Sequence, residues 1–430
     1  MENESVVTTV WQKSKVLVKA LMIGGLILVL MIPSFFVQEL ITEREARQRE
    51  AFTEVSGRWA GSQTITGPVL VIPYKQEFQT SGGSESVKKF AYVLPDKLNI
   101  TSQVRPEKRY RGIYEVLLYS SINKITGRFN AIPFDKLRVD PSVVYWDEVH
   151  VLLGLQDARG LRDEIRLNWN DSVVTMNPAP ANNQVMKDGF SSNVPVAANK
   201  EIHFSATVNL NGSGELLFAP VGKETEVKLS SNWPDPSFVG ATLPDHQIND
   251  SGFIATWKNF SHTRKFPQAW NDESFDLKSS AFGTNLIIPA NGYQKTMRSV
   301  KYAILCILLT FAAFFIIETV NKLSVHPFQY ALIGIALILF YTLLLSISEY
   351  INFNTAYFIA TAATVGLIGW FVRGLLGSAK LSALLSVVLV LLYSYIFTIL
   401  QLTDYSLLLG SLGLFVTLGV IMHFSKKIKW

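Results

Sequence analysis

The chain has 430 residues, 49% of them apolar, and a formal net charge of +5. The charge is unevenly spread: residues 302–430 hold six Lys/Arg and three Asp/Glu, whereas residues 38–301 hold thirty and twenty-nine. So neutral a middle region offers no basic surface for a nucleic acid. So apolar a final third excludes a wholly water-soluble chain, and a single cysteine, Cys306, excludes an intrachain disulfide.

In chain order, residues 1–37 are expected to form a short cytoplasmic N-terminus and a first membrane helix. The run VLVKALMIGGLILVLMIPSFFV, residues 16–37, is long enough to cross a bilayer. It exceeds the apolar length of a signal peptide and lacks an A-x-A-like exit, so it reads as an uncleaved anchor. Lys19 lies near enough to its cytoplasmic end to snorkel. Residues 38–63 are charged with helical habit and are expected to be a juxtamembrane helix.

Residues 64–300 read as an all-β domain outside the cytoplasm, a sandwich or super-sandwich. In EIHFSATVNL, Ile202, Phe204, Ala206, Val208 and Leu210 alternate with polar residues, the period of a half-buried strand. NGSG then predicts a turn and ELLFAPV a returning strand, a hairpin. A second hairpin is expected where Val149, Val151, Leu153 and Leu155 share one phase, DARG turns the chain, and Ile165, Leu167 and Trp169 resume it. In this turn Asp157 and Arg159 are candidates to hold a ligand, although a charged turn is the simpler reading. Further strands are expected at 67–74, 88–94, 113–121 and 285–290. Many short strands broken by Gly, Asn, Asp and Pro suggest the sandwich.

The stretch LSSNWPDPSFVG belongs to this domain. Strand phase places Trp233 on the face of Val227 and Leu229, so it reads as a core anchor whose loss would cost roughly 3–5 kcal/mol. Pro234 and Pro236 cannot donate to a ladder and are expected to end the strand at Trp233, with Phe238 packing back beside it.

Residues 301–430 are expected to hold five more spans, at about 302–317, 328–348, 355–372, 381–400 and 405–424. With a cytoplasmic N-terminus, the inner flanks carry Lys13, Lys15, Lys322, Arg373, Lys380, Lys426, Lys427 and Lys429; the outer loops 349–354 and 401–404 carry no Lys or Arg. That asymmetry sets both termini inside. Ionisable residues sit at span ends: Glu318, His326, Glu349, Arg373 and Asp404. Glu318 and His326 share one face, so a Glu318–His326 contact is the best intramembrane polar candidate. Gly366, Gly369, Gly410, Gly413 and Gly419 suggest close helix packing.

No catalytic, metal-binding or phosphate-cradling motif occurs, so neither a cofactor nor an enzyme is expected. The chain resembles the CreD family of bacterial cell-envelope integrity inner-membrane proteins. GPVLVIPY, DARG, LSSNWPDPSFVG, SGFIATW and the run from Lys301 to Tyr350 carry the resemblance. It implies an inner-membrane protein of envelope integrity and stress response, produced alongside a two-component regulatory response, with no catalytic residues to carry over. The expected contacts are the lipid bilayer and an envelope protein, lipid or glycan at the periplasmic domain. A transporter or insertase-like factor is the alternative, by analogy of layout alone. A hydrolase or transferase ranks last.

Overall fold

The computed structural model describes residues 2–80, 83–179, 185–186, 188–271, 273–286, 292–321, 323–402 and 406–425. The chain divides into two compact units: Glu50–Pro289, and Met1–Arg49 with Ala290–Trp430.

The first unit is built from two sheets. One has nine strands: β1 (Gln63–Thr80), β2 (Gly83–Val93), β5 (His150–Leu155), β8 (Asn177–Pro178), β9 (Gly189–Asn193), β11 (Glu215–Phe218), β13 (Pro236–Gly240), β16 (Ala269–Asn271) and β17 (Phe282–Leu286). The other has eight: β3 (Lys97–Arg111), β4 (Tyr114–Phe129), β6 (Arg166–Trp169), β7 (Ser172–Thr175), β10 (Ile202–Ser213), β12 (Glu224–Ser231), β14 (Asp245–Asn249) and β15 (Gly252–Phe260). A four-residue helix, α2 (Phe134–Leu137), follows β4. The eight-stranded sheet runs β14-β15-β12-β3-β4-β10-β6-β7.

Alternation explains the packing. In β10, Ile202, Phe204, Ala206, Val208 and Leu210 are buried while His203 and Thr207 are exposed. The inner faces of the two sheets meet in one apolar core with Trp169, Trp257, Tyr119, Phe129, Phe218 and Phe282 at its centre. Trp257 of β15 stacks on Phe282 of β17 across the sheets, ring centres 5.5 Å apart. An interior void between Pro68, Phe204 and Met176 has about 10 Å³, room for one water at most. A ligand inside the sandwich is thus excluded there.

Both expected hairpins prove to be crossings between sheets. β10 pairs with β4 and β6, whereas β11 pairs with β1 and β17. β10 itself runs on through Ser213, and the chain changes sheet at Gly214, whose φ of +66° suits glycine. Likewise β5 lies in the nine-stranded sheet and β6 in the eight-stranded one. A two-residue turn and a corner between layers share the same residues, so the sequence pattern alone reads either way.

The second unit is helical. It contains the part of α1 (Glu2–Trp59) through Arg49, then α3 (Gly292–Lys301), α4 (Ala303–Val320), α5 (Pro327–Ser348), α6 (Phe353–Leu376), α7 (Ala379–Gln401) and α8 (Ser406–Ser425). Among the described residues, five helices are long and apolar enough to cross a membrane: α1, α4, α5, α6 and α7. α8 forms where the sixth span is expected; Asp404 and Tyr405, at its expected start, lie outside the described residues. The polar stretch of α1 is supported by Glu43–Arg47 and Glu45–Arg49 pairs one turn apart, with the acid on the N-terminal side.

The close packing follows the glycine pattern only in part. A Cβ at Gly366, Gly410 or Gly419 would meet nothing within 4 Å, whereas one at Gly334 of α5 would lie 2.2 Å from Leu30 of α1. Gly369 and Gly413 do face neighbours, Ser386 and Tyr395.

Candidate functional site

The outer face of the eight-stranded sheet carries an open groove of about 430 Å³, a ligand-sized volume. Register builds its floor. Ser230 of β12 lies between Gln103 of β3 and Ile254 of β15, and Gln247 of β14 lies beyond Ile254. Gln103, Ser230 and Ile254 point outward because their alternating neighbours Val104, Leu229 and Phe253 fill the core, and Gln247 belongs to a strand exposed along its whole length. Asn232, Asn249 and Ser251 extend the groove at the strand ends. The Asn249 side-chain oxygen Oδ1 accepts from the Ser251 N–H (3.0 Å) and hydroxyl (2.6 Å), which shapes the β14–β15 turn. Among the lining residues Arg105 alone is charged. A second depression of about 500 Å³ lies on the same sheet around Lys97, Arg128, Asn168 and His203. There Arg128 and His203 both face Glu201, at 2.9 and 3.7 Å.

The Trp-Pro stretch borders the first groove. β12 stops at Ser231, two residues before Trp233, because the Ser231 hydroxyl takes the Trp233 N–H at 3.3 Å in place of a ladder partner. Trp233 is half-buried at the rim of the core, with the Lys108 ammonium 5.7 Å from its ring centre. The expectation of a deep anchor is therefore corrected. Pro234 is half-buried in the link, and Pro236 opens a strand rather than ending one. It is the first residue of β13, at the sheet edge, where a missing N–H costs no ladder bond. Phe238 is the anchor of the stretch. Its ring lies 4.9 Å from His246, 5.7 Å from Phe253 and 5.9 Å from Trp257, joining the two sheets.

Asp157 and Arg159 are spent on the fold rather than held out for a ligand. Arg159 donates to both Asp157 oxygens (2.9 and 2.7 Å) and to the Gly57 carbonyl (2.7 Å). The Gly61 N–H donates to Asp157 (2.9 Å), and the Gln63 amide bridges the Asp157 and Asn211 carbonyls. The turn therefore ties the end of α1 to the start of β1. Gly160 is required here, since a Cβ would sit 2.3 Å from the Asn211 carbonyl. The Arg159 guanidinium holds the Asp157 carboxyl down at about 2.

In the helical unit, Glu318 is buried but its partner is not His326. It ion-pairs with Lys19 of α1, accepts from the Tyr330 hydroxyl (2.7 Å) and accepts from the Val325 N–H (3.0 Å). Lys19 also donates to the Val325 carbonyl (2.6 Å), so it is engaged rather than snorkelling freely. His326 caps α5 instead: its ring accepts from the Phe328 N–H, and its own N–H donates to Gln329. A second charge pair joins α1 to the C-terminal end of α5, Arg44 to Glu349 at 3.8 Å, with Tyr293 donating to Glu349 at 3.1 Å. Twenty-five helical residues separate Lys19 from Arg44, about 37 Å, close to the thickness of a bilayer with its interfaces. A further groove in this unit, of about 610 Å³ between α4, α7 and α8, is lined by Leu, Ile, Val and Ala side chains with Tyr395.

A family profile described as "Inner membrane protein CreD" matches residues 15–430. The chain belongs to the CreD family. A curated relative, Inner membrane protein CreD of Escherichia coli (strain K12), is 29% identical over 430 residues, covering 97% of this chain and 94% of the relative. This CreD-family chain is accordingly a multi-pass inner-membrane protein with an N-terminal apolar helix, a large β unit and further apolar helices. The groove on its β unit escaped the sequence reading. Gln103 and Ser230 each occupy an outward strand phase, which the alternation shows, whereas the strand of Gln247 has no alternation. Their adjacency needs the parallel β12–β3 pairing, over more than a hundred intervening residues, and no local pattern encodes it.

Proposed function

We propose that this protein is a non-enzymatic envelope-integrity component whose β unit stands on the periplasmic side and binds an envelope component, while the helical unit anchors it. The observation that carries this reading is the open, nearly neutral groove on the eight-stranded sheet. Its lining supplies amides and hydroxyls but no carboxylate, imidazole or thiol, so it is equipped to hold a ligand and not to move a proton. The distribution of Lys and Arg supports cytoplasmic termini. The insertase-like alternative needs a hydrophilic, positively charged groove within the helices. The groove described between α4, α7 and α8 is apolar, which weighs against it.

The test is complementation. In a strain lacking the gene, the wild-type chain is expected to restore tolerance of cell-wall-active antibiotics. A Gln103→Glu/Gln247→Glu chain, present in the membrane at normal level, is expected not to. Full restoration by that variant removes the groove from the function.

A further inference from the structure

We infer that the groove across β3, β12, β15 and β14 receives a glycan, a chain of polyhydroxylated sugar rings; this rests on the binding reading above and names its ligand class. Seven of the twelve lining residues end in an amide or a hydroxyl, among them Gln103, Ser230, Asn232, Gln247, Asn249 and Ser251. Amides both donate and accept, as do hydroxyls. A sugar hydroxyl also does both, so such a lining can pair with a sugar edge in either sense. Three of these groups are free to do so: among the described residues, the side-chain amides of Gln103, Asn232 and Gln247 make no hydrogen bond.

The floor fits the other character of a sugar ring, its C–H faces. Ile254 is central in the outward row and 46% exposed, flanked by the amides of Gln247 on one side and, past Ser230, Gln103 on the other. An apolar side chain between two amides matches a ring whose faces are apolar and whose rim is polar.

Other occupants fit less well. A polyanion is held by clustered Lys and Arg, and Arg105 is the one cation lining the groove. A peptide added as a strand pairs with edge backbone and places alternate side chains in pockets. This groove instead lies across the faces of four paired strands, and its free groups are side-chain amides. An apolar ligand would leave those amides facing it unpaired.

The full chain in lipid nanodiscs is titrated with two soluble probes, N-acetylglucosamine tetramer and cellotetraose, with saturation-transfer NMR as readout. Saturable binding of at least one is expected, weakened roughly tenfold or more by Gln103→Ala/Gln247→Ala, with an unchanged thermal midpoint of the variant. Silence from both probes, or equal binding by the variant, overturns the inference. A photo-crosslinking residue at Gln247 in native membranes separates the two levels. An adduct removed by glycosidase supports the glycan. A protein adduct that resists glycosidase ends the glycan inference and leaves the binding reading standing. No adduct at all ends both.

Discussion

At the residue scale, depth of burial separates Trp257 from Trp233. Trp257 is 1% exposed, stacks on Phe282, and donates to the Thr242 carbonyl at 3.2 Å. Trp257→Ala is expected to destabilise the β unit by roughly 3–5 kcal/mol. Trp233→Ala, at the rim, is expected to cost only about 1 kcal/mol. Denaturant titration of the full chain in detergent, followed by near-ultraviolet circular dichroism, distinguishes them; equal losses would restore the deep-anchor reading of Trp233. Asp157 sets a pH dependence. Its folded-state pKa of about 2 lies below the ordinary 3.8. Its contribution is therefore present above about pH 4 and is lost as pH falls toward 2. Asp157→Asn removes the group that titrates, so the thermal midpoint of the variant is expected to fall less than the wild type's between pH 5 and 2.5. Parallel declines would show that the latch contributes no such term.

At the element scale, strands were legible and their partners were not. The alternation of Ile202 to Leu210 fixes which side chains are buried in β10, and the structure buries those. Nothing within the segment says that Ser213 continues the strand or that Glu215 joins another sheet, because that depends on β1 and β17. Helices follow the same rule. Apolar length locates α4 to α7, yet Glu318 was paired with the nearest candidate in sequence, His326, when its partner is Lys19, 299 residues away. A buried carboxylate in apolar surroundings demands a cation and donors, and only the fold says which. Glu318→Gln leaves the Lys19 ammonium without its counter-charge and is expected to destabilise the helical unit by about 3 kcal/mol. Lys19→Met with Glu318→Gln leaves no lone charge and is expected to recover part of that loss. Thermal unfolding of the wild type, Lys19→Met alone, Glu318→Gln alone and the double variant in nanodiscs gives the coupling. Purely additive losses would show that the pair acts as two independent residues.

At the scale of the whole molecule, the distribution of charge carries the topology. Charged groups of the β unit are balanced, so its placement is not set by net charge. In the orientation proposed above, the inner flanks would hold eight Lys or Arg and the two short outer loops none, the asymmetry favoured because translocating such flanks is costly. The lone cysteine makes this measurable. Cys306 is fully buried, so the wild-type chain is expected to be silent toward a membrane-impermeant maleimide. Against that background, Ser251→Cys on the β unit and Tyr350→Cys between α5 and α6 are expected to label in intact spheroplasts. Ala379→Cys, at the start of α7, is expected to label only after lysis. All three residues are exposed in their own units, so failure to label reports the membrane and not the fold. Labelling of Ala379→Cys in place of the other two would invert the orientation. Labelling of Ser251→Cys and Ala379→Cys without Tyr350→Cys would mean that only one of α4 and α5 crosses. Silence of Ser251→Cys in intact spheroplasts, with labelling after lysis, would break the link between the groove and the periplasm, so this one position decides whether the proposed ligand can reach its site.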